Sequence, residues 1–203
     1  MGKRRLESAL RLYQEQHPDA EKPAVRWLPF QLNPDIPQQG MSRKAYVEGK
    51  FGPGGNAKYS RVAGVGKGVG IDFAFDKIQV QPNTVNAHRL MHYATTQGHE
   101  DAVAEELFTA YFINGANLTD LDTLADIGAR GGLARDAVAA YLAGDADREL
   151  VKNADIEARN SGVQGVPFFI FNRKVAVSGA QEPESLLQAM LQSMDEQGKA
   201  QPL

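Results

Sequence analysis

Ser161-Gly162-Val163-Gln164-Gly165-Val166-Pro167-Phe168-Phe169-Ile170-Phe171 sets a proline directly before four apolar residues, three of them aromatic. The run is too short for an independent helix and reads as a buried strand. Proline has no N–H for a sheet ladder, so Pro167 opens the strand or lies at its edge. It also biases Val166 toward extended backbone. Gly162 and Gly165 supply turn freedom on the way in. Asn172-Arg173-Lys174 then turns the chain into a second short strand over 175–177, Ser178-Gly179 ends it, and an amphipathic helix follows over about 184–194.

A strand, hairpin, strand and helix led by Gly-Val-Pro resemble the C-terminal half of a thioredoxin fold. In that fold the proline before the strand is usually cis and faces the active-site cysteines. Taken alone, the same residues equally fit a trans proline capping an ordinary buried strand.

Composition narrows the class. The chain has 203 residues, 42% of them hydrophobic, enough for one good core or a core plus an inserted subdomain. Charged residues make up 23% and the net charge is −3, so bulk charge points to no nucleic-acid partner. No apolar run reaches the ~18 residues needed to span a membrane. Met1-Gly2-Lys3-Arg4-Arg5 is basic, but no apolar stretch follows as in a secretory signal, which points to the cytoplasm. There is no cysteine, which excludes a disulfide, a thiolate metal site and thiol chemistry within these residues. His88 and His92 share a helix face, but the residue after the first is Arg89 rather than the Glu of a zinc-protease helix. No metal is expected there, and no bound cofactor is implied.

Around the opening stretch the pattern is α/β with a large insertion. Residues 2–15 read as a helix, with Leu6, Leu10 and Tyr13 on one face and Ala9 beside them. It starts badly. It has no capping side chain, and three cations crowd the positive end of its dipole. His17-Pro18-Asp19 breaks it, and residues 24–32 read as a strand with an edge proline, Pro29. From Ser42 to Ser161 the reading is mostly helical, about six helices. Ser42 caps 43–50, residues 51–55 are a break, and Asn56 caps 57–67. Residues 72–80 are extended. Helices then follow around Leu90, Leu107 and Leu124 and over 134–142 and 147–160. The resulting division is 1–38 for a first thioredoxin-like part, 39–158 for an inserted helical domain, and 159–203 for the second part. Gly64, Gly66, Gly68 and Gly70 suggest a phosphate loop, but Gly66-Lys67 is followed by Gly68 instead of Ser or Thr, and no strand feeds the cluster. A helix end is the better account.

Four segments carry a family resemblance. Gly2-Lys3-Arg4-Arg5-Leu6-Glu7 resembles the stretch immediately after the active-site motif in the FrnE-like branch of the DsbA family. Arg26-Trp27-Leu28-Pro29-Phe30-Gln31-Leu32-Asn33-Pro34 is similar to its second strand and exit. Asn83-Thr84-x-x-Ala87-His88-Arg89-Leu90 and Ser161-Gly162-Val163-x-Gly165-Val166-Pro167-x-Phe169 are similar to two more of its signatures. Order and spacing match along essentially the whole chain. The resemblance implies a thioredoxin-like fold, truncated at its N-terminus, with an inserted all-helical domain. It also implies protein disulfide oxidoreductase or isomerase activity on protein or peptide thiols and disulfides, with glutathione as a redox partner.

The departure from the pattern is equally specific. The family carries Cys-Pro-Trp-Cys, an aromatic residue, Ile or Val, then Gly-Lys-Arg, so Met1 stands where the Ile or Val would be. The resemblance therefore puts the first strand and both cysteines upstream of Met1. This predicts a misplaced start, with a valine codon such as GTG read as the initiator. A natural truncation or an artificially shortened chain is the alternative. No catalytic residue is present, and the chain as given is expected to be redox-inactive. Gly165, Val166 and Pro167 remain as the substrate-binding loop, on whose backbone an extended peptide docks as an added strand. Asn83, Thr84, His88 and Arg89 are candidates for a pocket. A sheet lacking that first strand would expose edges and apolar faces, which predicts low solubility, a rearranged sheet or self-association. Two other readings stay open. One is the neighbouring branch of 2-hydroxychromene-2-carboxylate isomerases and kappa-class glutathione transferases, in which Asn83 or Arg89 would hold glutathione. The other is a non-catalytic peptide-binding module.

Overall fold

A computed structural model describes residues 1–52 and 55–194, the side chains of Asn56 and Ala57 excepted. Among the described residues the elements run α1 (Gly2–Gln16), β1 (Met41–Ser42), α2 (Arg43–Phe51), α3 (Asn56–Lys67), a 3-10 turn (Phe75–Lys77), β2 (Val80–Gln81), α4 (Val85–Thr96), α5 (Glu100–Phe112), α6 (Leu121–Arg130), α7 (Arg135–Ala143), α8 (Arg148–Asn160), β3 (Phe168–Phe171), β4 (Val175–Ser178) and α9 (Pro183–Met194). They form two compact units. One comprises Met1–Val25 and the chain from Ser161 onward, and the other Arg26–Asn160.

In the first unit the apolar stripe of α1 closes on α9. Ala9, Tyr13, Leu186, Leu187 and Met190 are buried together, with Leu6, Leu10, Phe169, Phe171 and Val177 packed around them. β3 and β4 pair antiparallel, Phe169 opposite Val177 and Phe171 opposite Val175. Their turn has φ +50° at Asn172 and +58° at Arg173, the two left-handed residues of a type I′ turn. The Lys174 N–H closes it on the Phe171 carbonyl at 2.9 Å. Asn172 Nδ2 also donates to the buried Ser193 Oγ at 3.1 Å, which fastens the turn to α9. Among the described residues β3 has β4 as its ladder neighbour on one side and none on the other. Ile170 on β3 is 54% exposed.

The second unit is a helical cluster around Leu90, Ala94, Val103, Leu124, Ala125, Ile127 and Val138, all buried. Two helices start on side-chain caps. Ser42 Oγ accepts the Ala45 N–H at 3.5 Å and Asp120 Oδ2 accepts the Thr123 N–H at 3.1 Å. Each replaces a bond that the helix cannot supply to its own first turn. α3 begins at Asn56 itself, so Gly55 holds the cap position expected of Asn56. Of the break expected at 51–55, Pro53 and Gly54 lie outside the described residues. The glycine cluster forms the end of α3 and the turn beyond it, through Gly70. Residues 72–80 are not extended throughout, because the 3-10 turn interrupts them.

No strand forms at residues 24–32, and residues 26–38 group with the helices rather than with α1. At Phe30 and Gln31 side chains take the backbone bonds that a ladder would have made. Asp155 Oδ1 on α8 accepts the Gln31 N–H at 2.8 Å, and Arg159 Nη2 donates to the Gln31 carbonyl. His88 Nε2 on α4 donates to the Phe30 carbonyl at 3.2 Å. Arg159 also stacks on the Phe30 ring, its guanidinium carbon 4.4 Å from the centroid.

Candidate functional site

The first unit brings together two of the segments singled out above. Gly2 is the first residue of α1 and is buried. A Cβ built on it would lie 2.7 Å from Pro167 Cβ and 2.8 Å from Cγ. The amino end of the helix therefore presses its bare Cα onto the proline ring, and glycine is what lets it approach. The Val166–Pro167 bond is cis. The Pro167 carbonyl accepts the Gly179 N–H at 2.9 Å, tying the loop to the far end of β4. Val166, by contrast, is 49% exposed. The loop thus has a fixed proline and an open residue just ahead of it.

The cations of the first turn do not destabilise α1 as their spacing suggests. Arg4 Nη1 pairs with Glu7 Oε2 at 3.1 Å, and Lys3 pairs with the same carboxylate. Arg5 reaches across to α9, where Nη2 meets Glu182 Oε1 at 2.6 Å and Nη1 donates to the Ala180 carbonyl. Two carboxylates thus serve three cations and offset their charge in part. The amino end of a helix is the positive end of its dipole, the setting that favours an anion such as a thiolate.

The other candidates lie in the second unit and hold its own fold. Asn83 Nδ2 donates to the Ile36 carbonyl at 2.7 Å, and its Oδ1 accepts the Val85 N–H at 3.0 Å, so it fastens the start of α4. The Thr84 carbonyl accepts the His88 N–H at 2.9 Å, inside the first turn. Arg89 is fully buried. Its Nε donates to the Ala146 carbonyl at 2.8 Å, Nη1 to Asn86 Oδ1 at 3.0 Å and the Leu142 carbonyl at 3.2 Å, and Nη2 to the carbonyls of Tyr141 at 2.9 Å and Gly144 at 2.7 Å. All five N–H groups are engaged. Arg89 caps the carboxyl end of α7, where carbonyl dipoles stand in for a counter-ion. It has no donor left for a ligand. The physical reason the pocket expectation does not hold for Arg89 is this capping role. Sequence alone shows a cation on α4 but not the carbonyls it serves.

A cavity of about 240 Å³ does open beside Asn83, lined by Gln31, Pro34, Val85, Lys152, Asp155 and Ile156. Thr84, His88 and Arg89 are not among its walls. Asp155, in its wall, pairs with Arg159 at i,i+4 on α8, a spacing that any helix-surface ion pair shares, so the sequence did not mark it. His92 Nε2 lies 3.8 Å from Asp147 Oδ2. Among the described residues no three His, Cys, Asp or Glu side chains are grouped to hold a metal ion. Among them, too, no helix is long and apolar enough to cross a membrane.

Burial holds the His88 imidazole below its ordinary pKa of 6.5, against the smaller upward effects of the Phe30 hydrogen bond and the Asp155 charge. As pH falls, the unfolded chain takes up this proton first. Stability therefore drops once pH passes below about 6.5 and goes on dropping until His88 protonates in the folded state. His88→Gln keeps a donor for the Phe30 carbonyl and removes the titration. Melting temperatures of the two proteins between about pH 7 and pH 5 should fall less steeply for the variant. Parallel slopes would show that His88 is not the group responsible.

The DSBA-like thioredoxin domain family matches residues 1–191 of this chain. Among solved structures, the crystal structure of a probable DsbA oxidoreductase from Streptomyces coelicolor is similar, with TM-score 0.85 and 25% identity over 100% of this chain and 87% of that one. No curated protein matches the chain.

Proposed function

We propose, since this chain belongs to the DsbA family of thioredoxin-like proteins, that its site is the meeting of the α1 amino end with the Gly165-Val166-Pro167 loop, and that the site serves thiol–disulfide exchange on extended polypeptides. The observation that carries this is the close approach of Gly2 to Pro167. It sets a helix end that stabilises a thiolate against a loop whose exposed Val166 offers backbone to a docking chain. The reaction needs a thiolate to attack a disulfide sulfur, forming a mixed disulfide and releasing the second sulfur as a thiolate. The 203 residues hold no cysteine, so on this reading the dithiol comes from a segment outside them. The substrate adds as a strand beside Val166, through main-chain hydrogen bonds.

Within the family the Gly2-Lys3-Arg4-Arg5-Leu6-Glu7 stretch favours the FrnE-like branch. The glutathione-dependent reading is weakened because the donors of Arg89 are all engaged and Asn83 is bonded at both ends of its amide. The test is the intact mass of the protein from its own source, before and after alkylation of reduced thiols. A mass above 22.1 kDa with two alkyl groups added is the expected result. A mass of 22.1 kDa with no alkylation would overturn the redox reading and leave a peptide-binding module.

A further inference from the structure

The helices α2 and α3 carry a charge pattern unlike the rest of the chain. Residues 43–67 hold six cations (Arg43, Lys44, Lys50, Lys58, Arg61 and Lys67) against one acid, Glu48, in a chain of net charge −3. Lys44 lies 4.0 Å from Glu48. Among the described residues Arg43, Lys50 and Lys58 have no carboxylate partner and lie over aromatic rings instead. The Arg43 guanidinium carbon is 4.5 Å from the Tyr59 centroid and 5.6 Å from that of Tyr46. Lys50 Nζ is 5.2 Å from the Tyr46 centroid and donates to its hydroxyl at 2.7 Å. Lys58 Nζ is 4.5 Å from the Phe51 centroid.

Arg43 is held in place. It donates to Gln81 Oε1, which also accepts from the Tyr111 hydroxyl at 3.5 Å. Its ring contacts fix the plane of the guanidinium and leave the remaining N–H groups without a partner among the described residues. A guanidinium fixed in this way loses little entropy on gripping a carboxylate.

We propose that this face binds an acidic polypeptide segment through its carboxylates. Three features choose that partner. Arg43, Lys50 and Lys58 have no carboxylate partner among the described residues, so charge complementarity calls for an anion. Arg43 lies on the Tyr59 ring and Lys58 on the Phe51 ring, which takes up faces on which the bases of a single-stranded nucleic acid would stack. The exposed positions of α2 are Lys44, Ala45, Glu48, Gly49 and Lys50, which form no apolar face to sink into a lipid surface. Arg43 and Lys50 are separated by about 10 Å of helix rise, a span that three or four residues of extended peptide cover. The inference stands apart from the thiol reading, since it needs no cysteine.

The test is fluorescence anisotropy of a labelled oligoglutamate peptide with the full chain, at low salt and at a tenfold higher salt concentration. Binding is expected at low salt, weakened about tenfold or more at high salt. Lys50→Gln with Lys58→Gln, both exposed and safe for folding, should weaken it about fivefold, and adding Arg43→Gln should extend the loss beyond about tenfold. A control pair in the hairpin turn, Arg173→Gln with Lys174→Gln, should change nothing. The proposal is overturned if the peptide fails to bind at low salt, or if the Lys50 and Lys58 double variant binds as tightly as the wild type. It is equally overturned if a single-stranded oligonucleotide or a phosphatidylglycerol vesicle binds at lower concentration than the peptide. Should Arg43→Gln disturb folding, the double variant alone decides.

Discussion

Arg89→Met is expected to destabilise the helical unit by roughly 3–5 kcal/mol, because several buried acceptors lose their donor together. Methionine fills most of the volume but donates nothing. Four backbone carbonyls around the end of α7 and the Asn86 amide oxygen lose their donor at once. A buried acceptor left without a partner costs about 1–3 kcal/mol, and such costs do not simply add. Arg89→Lys should recover only part of the loss, because an ammonium is a single point with three donors and cannot reach a fan of carbonyls. Thermal unfolding followed by far-UV circular dichroism would measure both. A shift worth less than about 1 kcal/mol for Arg89→Met would show that water satisfies these carbonyls and that the capping account is wrong.

The second large effect is expected at Gly2. Alanine in place of a helical glycine ordinarily helps, by up to about 1 kcal/mol in a helix interior. That gain is predicted for Gly49→Ala in α2, where an added Cβ meets nothing within 4 Å. At Gly2 the added carbon would lie 2.7 Å from Pro167. A proline ring fixed by the Gly179 hydrogen bond has little freedom to move aside. Gly2→Ala should therefore lower stability, and Gly2→Val should lower it further, by about 1–3 kcal/mol in all, as overpacking does. The opposite signs at the two glycines make the comparison sharp. If both alanine variants are stabilised, the α1 end and the Pro167 loop are not in contact in solution.

The closing hairpin and last helix were legible because their signals are local. Phe168–Phe171 is an apolar run fixed by the proline before it, and the turn residues Asn172 and Arg173 suit left-handed backbone. The stripe Leu6, Leu10 and Tyr13 likewise specified α1 and its buried face. Residues 24–32 misled for a physical reason. An apolar, β-prone stretch becomes a strand only when a neighbour offers a ladder, and here the side chains of His88, Asp155 and Arg159 take that place. Those residues lie far away in sequence, and no local pattern announces the pairing. The same holds for Arg89. Its motif neighbours made it look like a ligand group, whereas its partners, Tyr141 through Ala146, are ordinary backbone. The contact of Gly2 with Pro167 was not legible, because nothing local to either residue announces the other.

The arrangement of the first unit also bears on how the protein is made. Its two halves sit at opposite ends of the chain, and Arg5 finds its carbonyl partner Ala180 only after 175 further positions have been joined. At about 5–20 residues per second a ribosome needs roughly ten to thirty seconds to cover that distance. During that interval α1 has left the exit tunnel with the apolar stripe of Leu6, Ala9, Leu10 and Tyr13 uncovered. The contiguous stretch Arg26–Asn160 can meanwhile complete its own core as it emerges. Nascent chains should therefore engage chaperones through their first helix, and release should wait for α9.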